Sequence, residues 1–261
     1  MKLYKIVTPV WKKEPAVSPK PFVHPFYKSM FRKLYGLEEK ETEVYVRKSE
    51  AVTDSCDFLE PLVKEVWERH KNSASQFYDI RINEETGQVA PEYAILKRVG
   101  IRDISPISIR GMGSMAWLLG LQMMEIAVNE GECAIMLLAE LEHDFGIQGE
   151  NIACAFALYP CDNIDSQEGM WITDYQVHLT VDEATAAVKN FRGKIIFSEV
   201  ELEDTPTTCN YILCRKHGLI VPMLYLYKIL GEAKSIDVLT VHVSGNQYGL
   251  IYYHIFGKGE E

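Results

Sequence analysis

The apolar positions of this chain change their period from one stretch to the next, and residues 107–140 carry the sharpest pattern. Residues 106–110 are a short apolar run and predict a strand. Gly111, Met112 and Gly113 predict a tight turn. From Ser114 onward the sequence is apolar on nearly every helical face, through Met115, Trp117, Leu118, Leu121, Met124 and Val128. A helix that is apolar all round is a buried one. Gly131 suits its C-terminal stop, where a left-handed backbone is often required. Residues 134–138 are again continuously apolar, the pattern of a strand covered on both faces. The unit is a βαβ crossover with its helix at the centre of the domain, and such crossovers are right-handed.

Other segments fall in place around it. Weak alternation over 3–10 predicts an opening strand, and the Pro- and Lys-rich residues 12–24 a loop. Helical spacing of Leu59, Leu62, Val63, Val66 and Trp67 predicts a helix over 57–70. A short strand at 77–82, a turn at Thr86 and Gly87, and a helix over 91–99 closed by Gly100 follow. Past a polar loop at 144–149, two strand-like runs, 152–158 and 170–179, are joined by 160–169 and predict a hairpin with a long loop. Residues 182–191 read as a short helix capped by Thr180 or Asp182 and ended by Gly193. Residues 194–198 read as a strand. Within 210–230 the pattern is ambiguous, except that Pro222 suits the first turn of a helix over 222–230. The runs 236–244 and 248–256 alternate, are rich in β-branched and aromatic residues, and flank a Gly-containing turn. They are the strongest hairpin signal in the chain. A crossover followed by a hairpin, then a helix followed by a hairpin, hints at an internal duplication.

Composition narrows the classes. At 261 residues, 47% hydrophobic and 25% charged, the chain is an ordinary globular protein with material for a real core. A formal net charge of -10 disfavours nucleic acid, which calls for a basic face. The six cysteines include no CxxC pair, and Cys133 and Cys154 lie in apolar runs as small core residues. No HExxH or His-rich spacing points to a metal, and no cofactor is implied. The N-terminal MKLYKIVTPVWKKEP lacks the apolar centre of a signal peptide, and no run is long enough to cross a bilayer. The expectation is a cytoplasmic protein with reduced thiols.

The order of strand, Gly-containing turn, buried helix, NEGE, strand and acidic residue resembles the thiolase superfamily, and within it the β-ketoacyl synthases of the type III condensing enzymes. GMGSMAWLLGL resembles their nucleophile turn and central helix, and AIMLLAELEH the strand and loop after it. GENIACAFALYP resembles the strand that follows, without the second glycine of the family's motif. VLTVHVSGNQYGLIYYHI resembles the closing hairpin, with Gly245 and Gly249 near the family's last turn. The resemblance implies an α/β, thiolase-like layered fold in which mixed sheets sandwich buried helices. It implies one such domain over 1–261, with a first ketosynthase-like half at 1–180 and a shortened second half at 181–261.

The departures decide the expected chemistry. Ser114 stands where the family places its nucleophilic cysteine, and the partner His and Asn motifs are not recognisable. A helix N-terminus lowers a thiol's pKa, whereas a serine there needs an adjacent general base to attack a thioester. Serine is also a favoured N-cap, and that reading of Ser114 is preferred. The setting GMGSM is not a GxSxG elbow. His143 sits in an acidic loop, His217 precedes Gly218, and His242 and His254 lie on the last hairpin, facing each other or solvent. Gln122, Glu125 and Asn129 form one polar stripe on the central helix, which needs partners if the helix is buried.

The resemblance then implies a non-catalytic ketosynthase-like subunit, inactive alone, like the short subunits of heterodimeric ketosynthases. Its partner would be a catalytic β-ketoacyl synthase, in a heterodimer or heterotetramer, serving fatty-acid-like, polyketide or other secondary-metabolite biosynthesis, with an acyl carrier protein reached through the complex. Neither nucleic acid nor membrane is an expected partner. Family interfaces lie beside the nucleophile strand, which makes Ile107, Ile109 and Arg110 interface candidates and Gly111 and Gly113 the turn. The alternative is a stand-alone serine acyltransferase or thioesterase using Ser114.

Overall fold

A computed structural model describes residues 3–15, 55–81, 91–141, 150–164, 168–202, 205–214, 218–230 and 235–257. In chain order the elements are β1 Leu3–Pro15, α1 Ser55–His70, β2 Ala74–Arg81, α2 Pro91–Val99, β3 Pro106–Arg110, α3 Met115–Ala127, β4 Cys133–Glu140, β5 Glu150–Cys161, β6 Gly169–Leu179, α4 Val181–Asn190, β7 Ile195–Ser198, β8 Asn210–Leu213, α5 Val221–Leu230, β9 Ser235–Ser244 and β10 Gln247–Phe256. The turn at Thr86 and Gly87 and the loop at 144–149 lie outside the described residues.

The ten strands form one sheet in the order β3-β2-β4-β5-β1-β6-β10-β9-β7-β8. Read outward from its centre, this order is the same five-strand pattern twice. β1, β5, β4, β2 and β3 on one side match β6, β10, β9, β7 and β8 on the other. The duplication hinted at by the sequence is thus a feature of the topology. The mixed layers are the two halves of a continuous sheet, joined where Tyr4, Lys5 and Ile6 pair with Ile172, Trp171 and Met170.

One expected pairing is corrected. β5 and β6 do not form a hairpin, because β1 lies between them and pairs antiparallel with both. The closing hairpin is as expected, with β9 and β10 in unbroken register from Ser244 opposite Gln247 to Ser235 opposite Phe256. Gly245 sits in its turn at a left-handed φ of 59°.

The central helix α3 is packed from both sides. A side-chain carbon on Gly120 would stand 2.6 Å from Ile80 Cδ1 of β2, and one on Gly249 of β10 would stand 2.8 Å from Met115 Sδ. Trp117, fully buried, meets Phe156 of β5 edge-to-face and donates from Nε1 to the Tyr253 hydroxyl of β10 at 3.2 Å. All eight residues of β4 are buried, as its unbroken apolar run predicts. α4 opens on a capping box, with the Thr180 hydroxyl accepting from the Glu183 amide while the Glu183 carboxylate accepts from the Thr180 amide. All six cysteines are free thiols. No helix among the described residues is long and apolar enough to cross a membrane.

Candidate active site at the head of the central helix

β3 delivers the chain to a turn in which Gly111 and Gly113 take φ of 71° and 55°, conformations open to glycine at little cost. Ser114 follows at the N-cap of α3 and is only 2% exposed. Its expected role as a helix cap is corrected. Its backbone is already helical (φ -70°, ψ -15°), and its side chain makes no capping hydrogen bond. Instead, the Ser114 hydroxyl donates to Glu199 Oε2 at 2.6 Å, reaching from the first half of the molecule to the residue just past β7.

The same carboxylate oxygen accepts the Val243 amide of β9 at 3.0 Å. Gly218 packs so closely on Glu199 that any side chain there would collide with the carboxylate. Burial raises the pKa of Glu199 above the ordinary carboxylate value. The bonds from Ser114 and Val243 act against that shift, and the nearby charge of Glu140 adds to it.

Glu140, at the end of β4, makes a second bridge between the halves. Its Oε1 accepts the amides of Leu219 and Ile220, at 3.0 and 3.2 Å, where the chain leads into α5. A carboxylate at a helix N-terminus satisfies orphan donors and is favoured by the helix dipole. Between the two carboxylates sits Cys214, directly after β8. Its thiol is pushed up to about 11 by burial first, then by Glu199 and Glu140, so it is a protonated thiol and not a nucleophile.

The other residues singled out in the sequence lie apart from this cluster. His242 is fully buried, with Nε2 2.8 Å from the Thr240 hydroxyl and its value lowered to about 3 by burial. His254 pairs across the hairpin with Asp237 at 2.6 Å and does not face His242, which lies opposite Gly249. His24, His143 and His217 lie outside the described residues. On the polar stripe, Glu125 accepts the Tyr175 hydroxyl and Asn129 donates to Glu132 at 3.3 Å, so these two residues find partners within the chain.

Of the interface candidates, Ile109 is buried in its own core, with Cδ1 beside Gly120, and Ile107 is half-buried against the same cluster. Ile109 is therefore a core residue, a correction to the expectation. Arg110 turns to the opposite face and donates to Glu92 at 2.7 Å and to Ser108 at 2.8 Å, beside the buried Asp79–Arg81 pair. Among the described strands β3 lies at the edge of the sheet, bonded to β2 alone.

Sequence reasoning missed Glu199 as the partner of Ser114, and Glu140, Cys214 and Gly218 as residues around Glu199. The one available signal was positional. Glu199 and Glu140 stand at the carboxyl ends of strands, where α/β sheets gather their functional side chains. No set of three His, Cys, Asp or Glu side chains among the described residues is disposed to hold a metal.

No protein-family model and no curated protein matches the chain. Solved structures do. AbyA1, a tetronic acid condensing enzyme, superposes with a TM-score of 0.61 at 8% identity, over 97% of this chain and 100% of that one. The priming β-ketosynthase of the R1128 polyketide pathway gives 0.55 at 8%, over 98% and 97%. The curacin-pathway HMG synthase in complex with holo donor-ACP gives 0.53 at 9%, over 98% and 81%. At such identities the likeness is one of architecture, and with the doubled strand pattern and the buried helix it settles the fold: the chain has the thiolase-like fold of ketosynthases and type III condensing enzymes.

Proposed function

We propose that this chain is a ketosynthase-like subunit that performs no condensation itself and pairs with an active β-ketoacyl synthase in fatty-acid-like, polyketide or other secondary-metabolite biosynthesis. The observation that carries the reading is an open lateral edge. Among the described residues β3 has one unpaired backbone side, and α3 leaves Ile126 90% exposed beside the half-buried Leu119 and Met123. An uncovered apolar stripe next to an open strand edge is a surface that partners cover and that aggregates when left bare. The lack of condensing chemistry rests on charge. Acyl transfer passes through an oxyanion that needs converging donors. Here a carboxylate, Glu199, lies directly against Ser114, and the Leu219 and Ile220 amides are already bonded to Glu140.

The test is co-expression with a ketosynthase encoded beside this chain, followed by size-exclusion chromatography with light scattering. A stable heteromeric complex is expected, with an interface of more than about 2,000 Å² of mainly apolar surface. An acyl carrier protein, as seen with the curacin HMG synthase, would then meet the assembled complex. A soluble, folded monomer that ignores every such candidate overturns the reading.

A second reading is favoured by one contact. The 2.6 Å bond from Ser114 to Glu199 is the geometry of a hydroxyl with an adjacent base, so the chain could act as a serine acyltransferase or thioesterase. Incubation with acyl-CoA thioesters separates the two. A stoichiometric acyl adduct mapped to Ser114 supports this second reading, and no adduct at Ser114 supports the first.

A further inference from the structure

At the opposite end of α1 from its buried start, we propose a second nucleophilic site, in which the Thr8 hydroxyl accepts acyl groups from activated esters and thioesters with His70 as its base and Tyr159 as the residue that orients the imidazole. The proposal is independent of the subunit reading, since it uses none of the residues around Ser114.

It begins in the backbone. The pairing of β1 with β5 is regular from Leu3 to Val7, breaks, and resumes at Val10. Inside that break Thr8 takes a φ of 52°. A β-branched residue in this region is strained, and such strain gathers at functional sites, where surrounding structure holds it. What holds Thr8 is His70, the last residue of α1, whose Nε2 lies 3.0 Å from Thr8 Oγ1. The other ring nitrogen, Nδ1, lies 2.9 Å from the Tyr159 hydroxyl of β5. Hydroxyl, imidazole and orienting group thus stand in the sequence that base-assisted nucleophiles require.

The direction of the relay follows from its far end. The Tyr159 hydroxyl also interacts with the buried Cys133 thiol, which can accept its proton, and with the Ser73 hydroxyl. Its oxygen is then free to accept the Nδ1 proton of His70. That assignment leaves Nε2 bare and aimed at the Thr8 proton. Burial, and then the charge of Arg69, lower the His70 pKa, so the ring is neutral and able to take a proton at neutral pH. Thr8, His70 and Tyr159 are each half-buried, within reach of a small acyl donor, whereas Ser114 is not.

In the proposed step Thr8 Oγ1 attacks the acyl carbonyl carbon and its proton passes to His70 Nε2. The carbon–oxygen or carbon–sulfur bond of the donor breaks, and the departing group recovers the proton from His70. The product is an acyl ester of Thr8. Tyrosine orients the ring but does not neutralise an imidazolium as a carboxylate would, so acylation is expected to be stoichiometric, with slow release to water.

The full-length protein with 4-nitrophenyl acetate provides the test. The expected result is a burst of nitrophenolate and an acetyl adduct mapped to Thr8 by peptide mass spectrometry. Thr8→Ser should keep the adduct and Thr8→Val should lose it. His70→Gln should slow acylation by on the order of 10²–10⁴-fold. Tyr159→Phe should shift the pH profile of acylation, among whose described neighbours Arg69 and Cys133 are the other charged and titratable groups. Far-UV circular dichroism confirms the fold of each variant. No adduct at Thr8 in the folded wild type, or equal labelling of Thr8 in folded His70→Gln, overturns the proposal.

Discussion

In the first half of the sheet, β2 and β3 run for eight and five residues, and α2 covers the ground between them. In the second half their counterparts β7 and β8 run for four residues each, and no helix joins them among the described residues. Within the sheet the proportional shortening is greatest at that rim, where β7 is half the length of β2. β6, β9 and β10, which face α3, keep ten or eleven residues each. The comparison teaches what the second half is for. It has lost material at its margin and kept the surface that buries the central helix, so the two halves share one core. The ties between them run both ways. Glu199 of the second half holds Ser114 of the first, and Glu140 of the first holds the entry to α5 of the second.

If the core is shared, its centre is the place to break it. Trp117→Ala removes the side chain that touches Phe156 in one half and Tyr253 in the other. A loss of about 3–5 kcal/mol is expected, as for other fully buried aromatic residues. Urea denaturation followed by circular dichroism should show one transition at a lower midpoint. Two separated transitions would mean that the halves melt independently.

Next in size is the tie at α5. Glu140→Ala leaves two buried amides without their acceptor, at a cost of about 2–4 kcal/mol if each orphaned donor loses about 1–2 kcal/mol. Glu140→Gln retains an acceptor oxygen and should recover most of it. Hydrogen exchange at Leu219 and Ile220 should quicken in the alanine variant. Unchanged exchange there would remove Glu140 from the account.

The smallest effect should come from the reverse tie. Glu199 has a raised pKa in the folded state, so the folded protein holds that proton more tightly than the unfolded chain. Its contribution to stability is therefore full below the ordinary carboxylate pKa and is lost as pH rises through the folded value. Glu199→Gln cannot titrate and can still accept from Ser114 and Val243. Relative to wild type, the variant should gain stability across that window and stay level above it. Midpoints measured from acid to neutral pH check this, and parallel profiles for the two proteins would contradict it.

Much of the fold was legible because its signals are local. The unbroken run through β4, the all-apolar helix from Met115 and the alternating strands β9 and β10 each state their burial over a few residues. The failed hairpin had no such signal. Nothing within 152–179 says that β1, from the far end of the chain, will enter between β5 and β6. The site divides the same way. Ser114 was found from its turn and helix, but Glu199 lies in the acidic run EVELED, where nothing in the sequence distinguishes one carboxylate from the next. Only the meeting of the two halves sets it apart.

The central place of β1 has a consequence for how the protein is made. Leu3 pairs with Cys161, and Tyr4 with Ile172, so β1, made before the other described strands, waits for its partners until about 160 further residues have followed. At synthesis rates of about 5–20 residues per second, that wait is on the order of ten to thirty seconds. Contacts so distant in sequence are slow to close, because the loop entropy is lost before the pairing is gained. During that interval β1 stays unpaired, and the seam it then makes with β6 is the one that joins the halves.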